Sequence, residues 1–181
     1  MPTEISGSTG VNKIQDNTIV NADINSSAAI AGSKLVMPTG SVIQVVSALI
    51  SSEFTSTSST YSNTPVTLAI TPSATSSKVL VMITLGGCIS WNNDTYLQAA
   101  LFRDSSEIFV LEATGGETDS TAKSGYGSVA CSHLDSPSST SAVTYLVKGA
   151  SANNNSYVRF NADGPNSRRA DSSITLMEIA G

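Results

Sequence analysis

The N-terminal part of the chain carries its isoleucines at a spacing that fits neither a helix nor a strand. They recur every five or six positions in a polar segment that ends in a leucine: Ile14, Ile19, Ile24, Ile30 and Leu35. A step of five residues rotates a helical side chain by about 140°, and on a strand an odd step reverses its face. Such a period suits a short wound coil or fibre whose isoleucines are covered by neighbouring chains. The pattern predicts an extended assembly and anchoring segment over residues 1–37; the alternative is a disordered linker with accidental spacing.

A Met-Pro-Thr-Gly sequence at residues 37–40 breaks this pattern, because proline disfavours helix in the residue before it and glycine permits a turn. From Ser41 onwards, apolar residues alternate with polar ones, and Gly, Pro, Asn and Ser clusters separate the alternating runs. Strands are predicted at 41–50, 65–70, 78–86, 95–103, 107–111, 125–133, 141–148, 156–162 and 172–179, with a polar loop over 51–64. No interval has a helical pattern. Residues 38–181 are therefore predicted to form an all-β domain, an antiparallel β-sandwich or jelly roll.

Two of these predicted strands are apolar on both faces. In KVLVMITLG, residues 78–86, the even positions include Leu80 and Met82, although the odd positions alone would fill a core face. The last strand, SITLMEIAG, repeats the feature with Met177 and Ile179. In a two-layer sandwich only one face of a strand meets the other sheet, so the second face needs cover from loops or from another subunit. These four residues are the candidates for a subunit interface.

Composition and charge exclude several functions. The formal net charge is −5, and the only adjacent basic pair is Arg168 and Arg169, so phosphate neutralisation has no evident source and nucleic-acid binding is not expected. The longest apolar run, residues 79–85, is far too short to span a bilayer, and the N-terminus lacks the basic and apolar regions of a signal peptide. We therefore expect a protein made in a cytoplasm, without membrane insertion.

Candidate catalytic chemistry is sparse. His133 is the single histidine, and nothing else in the sequence converges on it as a nucleophile or a third triad member would. Ser120 and Lys123 match a Ser-x-x-Lys pattern, but they lie in a predicted loop and the partner motifs are missing. An acidic loop, residues 112–124, matches no established calcium-loop spacing. No catalytic residue, metal site or cofactor is expected, and a glycan-active enzyme is the weaker alternative because no spaced carboxylate pair lies within the strands.

The two cysteines, Cys88 and Cys131, fall on separate predicted strands among small residues. Free cysteine behaves as a small hydrophobic residue, and thiols stay reduced in a cytoplasm. Two buried free thiols are therefore expected, although the sequence leaves a single disulfide open.

One aromatic cluster suggests a ligand. Trp91, the only tryptophan, is followed by Asn92 and Asn93 at a predicted loop tip, with Tyr96 close by. An aromatic platform flanked by amides can bind a sugar. The alternative is that the tryptophan packs over one end of the sandwich or at a subunit seam.

Several stretches, in their order along the chain, resemble the trimeric tail-fibre and related virion structural proteins of tailed bacteriophages. These stretches are NTIVNADINSSAAIAGSKL, GSVIQVV, ITPSATSSKVLVMITLGG, LFRDSSEIF, HLDSPSSTSAVTYLVKG and SSITLMEIAG. The resemblance implies a homotrimer with jelly rolls similar to tumour-necrosis-factor and complement-type head domains. It also implies a non-enzymatic protein that is assembled in the host cytoplasm, is located in the virion, and is joined to other capsid or tail proteins through its N-terminal segment.

Only about five isoleucine or leucine rungs are present, so the resemblance favours a short fibre, knob or decoration over a long shaft. Members of the family also bind host surfaces. A receptor-binding tip that recognises a host glycan is therefore the alternative within the same family.

Overall fold

The structure is a computed structural model that describes residue 27 and residues 37–90, 96–111, 125–152, 157–162 and 170–181. The described residues form ten strands and no helix. The strands are β1 (Val42–Ile50), β2 (Phe54–Ser56), β3 (Ser62–Ile70), β4 (Lys78–Ser90), β5 (Leu97–Arg103), β6 (Ser106–Val110), β7 (Gly125–Asp135), β8 (Val143–Ser151), β9 (Val158–Phe160) and β10 (Ser172–Ile179). The prediction of an all-β chain is confirmed for the described residues.

The strands form two antiparallel sheets. Sheet A runs β1-β10-β4-β7, and the short strands β9 and β2 extend it beside the distal end of β4. Sheet B runs β3-β8-β5-β6. If the short strands β2 and β9 are left out, eight strands remain, and they can be counted from one to eight along the chain. Sheet A then has the spatial order 1-8-3-6, and sheet B has the order 2-7-4-5. This is the strand order of a jelly roll, so the predicted β-sandwich is confirmed.

Period-two alternation explains how the two sheets share one core. On β4 the odd positions from Val79 to Leu85 are buried, and on β10 the even positions are buried. Side chains that alternate in this way fill the layer between two packed sheets. The largest core side chains, each less than 2% exposed, include Tyr145, Phe160, Ile83, Leu85, Leu97, Leu101, Ile174 and Leu176.

β4 is irregular where it changes partner from β10 to β9. Gly87 has φ +57°, and a Cβ on Gly86 would lie 2.6 Å from the carbonyl oxygen of Asp171. Across this break, the Asn161 N–H donates to the carbonyl of Gly86 at 2.8 Å, and the Ser172 hydroxyl donates to the Asn161 side-chain oxygen. Two glycines are therefore required where β9 and β10 separate, because only glycine allows both the left-handed conformation and the close backbone approach.

The predicted polar loop over residues 51–64 is wrong in two places. It contains β2 and the start of β3. Phe54 is buried and its ring stacks on Phe160 at 4.8 Å, while the Thr64 hydroxyl donates to the carbonyl of Val147 at 2.7 Å. A three-residue strand in a Ser- and Thr-rich stretch has too few positions to show an alternating pattern, which explains the error.

The first described strand and the last one meet at one corner of sheet A. The Gly40 N–H donates to the carbonyl of Ala180 at 2.8 Å, and the Ala180 N–H donates to the carbonyl of Ser41 at 2.8 Å. β10 is an interior strand between β1 and β4, as its apolar residues on both faces suggested. The residues that follow the predicted anchoring segment are thus hydrogen-bonded to the C-terminal strand.

Candidate assembly interface

The face of sheet A that points away from sheet B, here called the outer face, carries a row of apolar side chains across four strands. Val45 on β1 lies opposite Met177 on β10, Met177 lies opposite Leu80 on β4, and Leu80 lies opposite Leu134 on β7. Val45 is 52% exposed and Leu134 is 50% exposed, and the two central side chains are half-buried. Neighbours across antiparallel strands are close enough to form one continuous strip, here called the apolar row.

A second row runs beside the first and is mostly hydroxylic. It consists of Ser47, Thr175, Met82 and Ser132 in register. The hydroxyls of Ser47 and Thr175 are hydrogen-bonded at 2.9 Å, and Met82 is 44% exposed. A shallow hollow of about 510 Å³ lies here, and hydroxyl, methyl and thioether groups line it. Its lining residues, which include Cys131, carry no carboxylate, imidazole or amine.

The same face is almost free of charge. Among the described residues of β1, β10, β7 and the first half of β4, Lys78 is the only charged side chain on the outer face, and it lies at the end of its strand. The whole chain has nine basic and fourteen acidic residues. An antiparallel sheet that faces water normally alternates apolar and polar residues, and charge depletion is typical of the centre of a protein–protein interface. This face therefore has the composition of an interface.

The outer face of sheet B is different, because side chains of the same chain cover its central apolar residues. The ring of Tyr61 packs edge-on against Phe102 at 6.0 Å, and the Lys148 ammonium lies 4.1 Å from the centre of the Phe102 ring. Ala100 and Leu146 complete this cluster and are buried. Sheet B thus covers this central cluster with its own side chains, and on its edge strand β6 only Val110 is left 60% exposed among the described residues. Sheet A leaves its apolar row uncovered.

The four residues predicted for the trimer interface all lie on the outer face of sheet A. Met82 is the most exposed of them, while Leu80, Met177 and Ile179 are half-buried. Three belong to the two rows, and Ile179 lies next in register, opposite Lys78. Their role in trimerisation stays a prediction. Sequence reasoning missed Val45 and Leu134, although the alternation in β1 offered a signal for Val45.

The other predicted sites fall mainly outside the described residues. This applies to the five anchoring residues Ile14, Ile19, Ile24, Ile30 and Leu35, and to Trp91, Asn92 and Asn93 of the candidate glycan site. Tyr96 is described, and it is 40% exposed just before β5. The glycan site therefore stays a prediction with one described member.

Groups capable of catalysis are placed inside the sandwich. His133 is half-buried, and its ring centre lies 5.1 Å from that of Phe109. Burial raises the pKa of the Cys88 thiol to about 11 and also raises the pKa of Cys131. Both cysteines are free, and Cys131 lies opposite Ile83, five positions along β4 from Cys88. Neither thiol is a ready nucleophile, because the reactive form is the thiolate.

One buried charged contact joins the two sheets. A guanidinium nitrogen of Arg103 on β5 lies 2.9 Å from each carboxylate oxygen of Asp135 on β7, and the Tyr145 hydroxyl donates to Asp135 at 2.7 Å. Burial, together with the hydrogen bond and the negative charge of Asp135, raises the pKa of Tyr145. The carboxylate is thus fully engaged in a structural contact, as buried charges require.

Neither a metal centre nor a membrane span is found in the described part of the chain. No three His, Cys, Asp or Glu side chains converge there to hold an ion. The search of the same residues for a helix long and apolar enough to cross a bilayer found none.

The chain matches no family model and no curated protein sequence. Among solved structures, it is similar to the crystal structure of the infectious bursal disease virus VP2 subviral particle, with 10% sequence identity and a TM-score of 0.29. The match covers 76% of the present chain and 37% of that chain, so the present chain spans little more than a third of its length. A likeness at this TM-score carries no argument about function.

Proposed function

We propose that the chain is a non-enzymatic virion structural protein that assembles as a homotrimer through the outer face of sheet A. In this proposal residues 1–37 join the trimer to another protein of the particle, and the β-sandwich forms a short fibre, knob or decoration. The proposal is supported by the resemblance to tailed-phage fibre proteins and by the outer face of sheet A, where Lys78 at a strand end is the only charged side chain among the described residues.

The observation that carries the proposal is the apolar row. Its two ends, Val45 and Leu134, are 52% and 50% exposed, and Met82 in the neighbouring row is 44% exposed, with no charged side chain between them. Burying a large aliphatic side chain contributes about 1.5–3 kcal/mol, so several such residues from three copies would offset a large part of the cost of association. A solitary sandwich would leave that surface in water.

The anchoring segment extends the same reasoning. Its five isoleucine and leucine residues lie in a stretch too polar to bury them within one chain, and ordering such a segment costs about as much as their burial returns. Shared burial among three chains, or against the particle, shifts that balance towards assembly. The segment is therefore proposed to bind partners, and the sandwich to hold the copies together.

Native mass spectrometry of the full chain, beside a version that starts at Gly40, tests the proposal. The expected result is a species of about 56 kDa, three times the 18.6 kDa chain, for the full chain. Mass spectrometry of purified particles of the encoding virus should then detect the chain. Monomers for both versions, or its absence from particles, would overturn the proposal.

A receptor-binding tip is the second candidate, and the exposed ring of Tyr96, five residues after Trp91 in the sequence, favours it. Replacing Trp91 by alanine tests it through adsorption of particles to host cells, with Tyr61→Ala as a control aromatic at the outer face of sheet B. Reduced adsorption with an intact trimer supports glycan binding. Unchanged adsorption contradicts it.

A further inference from the structure

The two sheets differ in how their edge strands are protected. Exposed sheet edges invite pairing with other chains, and proteins block them with proline, charge, short strands or bulges. In sheet B, edge strand β3 contains Pro65 and a register irregularity between Asn63 and Thr67. The other edge strand, β6, has five residues and includes Glu107. Both edges of sheet B are therefore protected.

Neither edge of sheet A has comparable protection among the described residues. Edge strand β1, VIQVVSALI, contains no charge and no proline. Its register with β10 has one irregularity near the strand start, between Val42 and Gln44, and is regular from Gln44 to Ile50. Edge strand β7 is also free of proline, and its one acidic residue, Asp135, lies at its end and bonds Arg103. Its register with β4 is regular from Val129 to Asp135. Two regular edge stretches of equal length, residues 44–50 of β1 and 129–135 of β7, are thus available without repelling charges.

We propose that β1 of one copy pairs antiparallel with β7 of the next copy, so that sheet A continues from chain to chain. This inference rests on the homotrimer proposed above and assigns its contact strands. β1 is antiparallel to β10, β10 to β4, and β4 to β7, so β1 and β7 run in opposite directions. A head-to-tail contact between them is therefore antiparallel, and it keeps the outer faces of both copies on the same side.

Symmetry favours this pairing over one between two β1 strands. A β1–β1 contact is two-fold, closes at two copies and leaves both β7 edges open. A β1–β7 contact is heterologous and can close a ring of three, using every unprotected edge of sheet A. It also places Leu134 of one copy beside the strand of the next copy that carries Val45, so the apolar row continues across the boundary. Edge pairing and burial of the outer face then occur together.

Cysteine cross-linking in the full chain tests the pairing directly. Ser47→Cys marks β1 and Ser132→Cys marks β7, each at an exposed serine and each in a Cys131→Ser chain that removes the half-buried native thiol. One variant carries a mass tag, and a short thiol-reactive cross-linker is added after circular dichroism has verified folding. A tagged–untagged dimer from the mixture, with no dimer from either variant alone, is the expected result.

Linked dimers from the Ser47→Cys chain alone would instead indicate two-fold pairing and overturn the proposal. Absence of any linked dimer would also overturn it. Native mass separates this failure from failure of the proposed function: a trimer without cross-links refutes only the strand pairing, whereas a monomer refutes both.

Hydrogen exchange gives a second readout that needs no substitution. As protein concentration rises and the chain assembles, backbone amides of β1 and β7 should exchange at least about tenfold more slowly, because outward N–H groups of both strands become hydrogen-bonded. Amides of the protected edges β3 and β6 serve as the internal control. Equal protection of all four edges, or of none, would contradict the pairing.

Discussion

At the scale of single residues, the sandwich buries carboxylates only where several donors meet them. Glu178 is fully buried on β10, and its carboxylate accepts hydrogen bonds from the Gln44 side chain at 2.6 Å and from the Ser73 N–H at 2.7 Å. The Ser73 hydroxyl donates a third bond at 2.6 Å. Burial by itself raises the pKa of Glu178, but these hydrogen bonds outweigh it and hold the pKa below its ordinary value.

Replacing Glu178 by glutamine is expected to lower the free energy of unfolding near neutral pH by about 1–3 kcal/mol, because an amide satisfies these donors less well than a carboxylate. A carboxyl group with a lowered pKa in the folded state stabilises the fold above its unfolded pKa, about 4.3. That stabilisation is lost as pH falls through the lower folded value. The gap between wild type and variant should therefore narrow below about pH 4 in urea titrations.

Glu107→Gln, at an exposed position of β6, is the matched control, and it should leave the free energy of unfolding within about 0.5 kcal/mol of wild type at every pH. A constant gap between wild type and Glu178→Gln down to pH 3 would show that the ionised carboxylate is not the source of the stabilisation.

Tyr145→Phe tests the tie between the sheets. The change removes only the hydroxyl that donates to Asp135 and leaves the Arg103 contact in place. A buried carboxylate oxygen of Asp135 then loses its hydrogen-bond donor. The free energy of unfolding, measured by chemical denaturation, should therefore fall by about 1–3 kcal/mol. Tyr96→Phe, at an exposed ring, is the control and should be neutral. Equal effects of the two substitutions would contradict a special role for the Tyr145 hydroxyl.

At the scale of elements, the glycine pair Gly86 and Gly87 lies where the pairing partner of β4 changes from β10 to β9. Gly86→Ala would bring a Cβ within 2.6 Å of the Asp171 carbonyl oxygen and 2.8 Å of the Ala170 carbonyl oxygen. Backbone must shift to relieve this overlap, so we expect a loss of stability of about 1–3 kcal/mol. Thermal unfolding measures it, and Thr84→Ala, two residues earlier at an exposed position, is the control. An unchanged melting temperature for Gly86→Ala would mean that the strands separate without this close approach.

The same strand shows how far sequence patterns predict the elements. Strands with several alternating positions, such as residues 78–86 and 172–179, were predicted correctly because the period-two signal repeats within them. β2 was missed because three residues contain too few repeats. β4 continues past Gly86 to Ser90, and this extension was also missed, because two adjacent glycines suggest an end where the fold uses a bulge.

The candidate interface was predictable only in part, for a related reason. Leu80 and Met177 could be recognised because each lies on a strand whose other face already fills the core. Their cross-strand register, which joins them to Val45 and Leu134 in one row, depends on pairings between strands far apart in the chain. Hydrophobic alternation specifies which face a residue occupies, but it does not specify its neighbour on the next strand.

At the scale of the whole molecule, the two sheets differ in how far their outer faces are covered and how well their edges are protected. Sheet B covers its central apolar cluster with Tyr61 and Lys148 and protects both of its edges, although Val110 on β6 is exposed. Sheet A leaves its apolar row exposed and its edges regular. A monomer that had evolved to remain solitary would have little reason for this asymmetry, because an exposed apolar patch and open edges both promote association.

Met82→Lys tests that asymmetry in the full chain. The side chain points away from the core and is 44% exposed, so the sandwich should remain folded, as measured by circular dichroism. In an assembly through the outer face, however, the ammonium would be buried without a partner, and the affinity between copies should fall by at least about a hundredfold. Native mass spectrometry across a dilution series should then detect monomer of the variant at concentrations where the wild type forms the proposed trimer. Thr67→Lys adds the same charge at an exposed position of β3 on sheet B and should leave the trimer intact. If both variants remained trimeric at every dilution, the outer face of sheet A could not be the surface that holds the copies together.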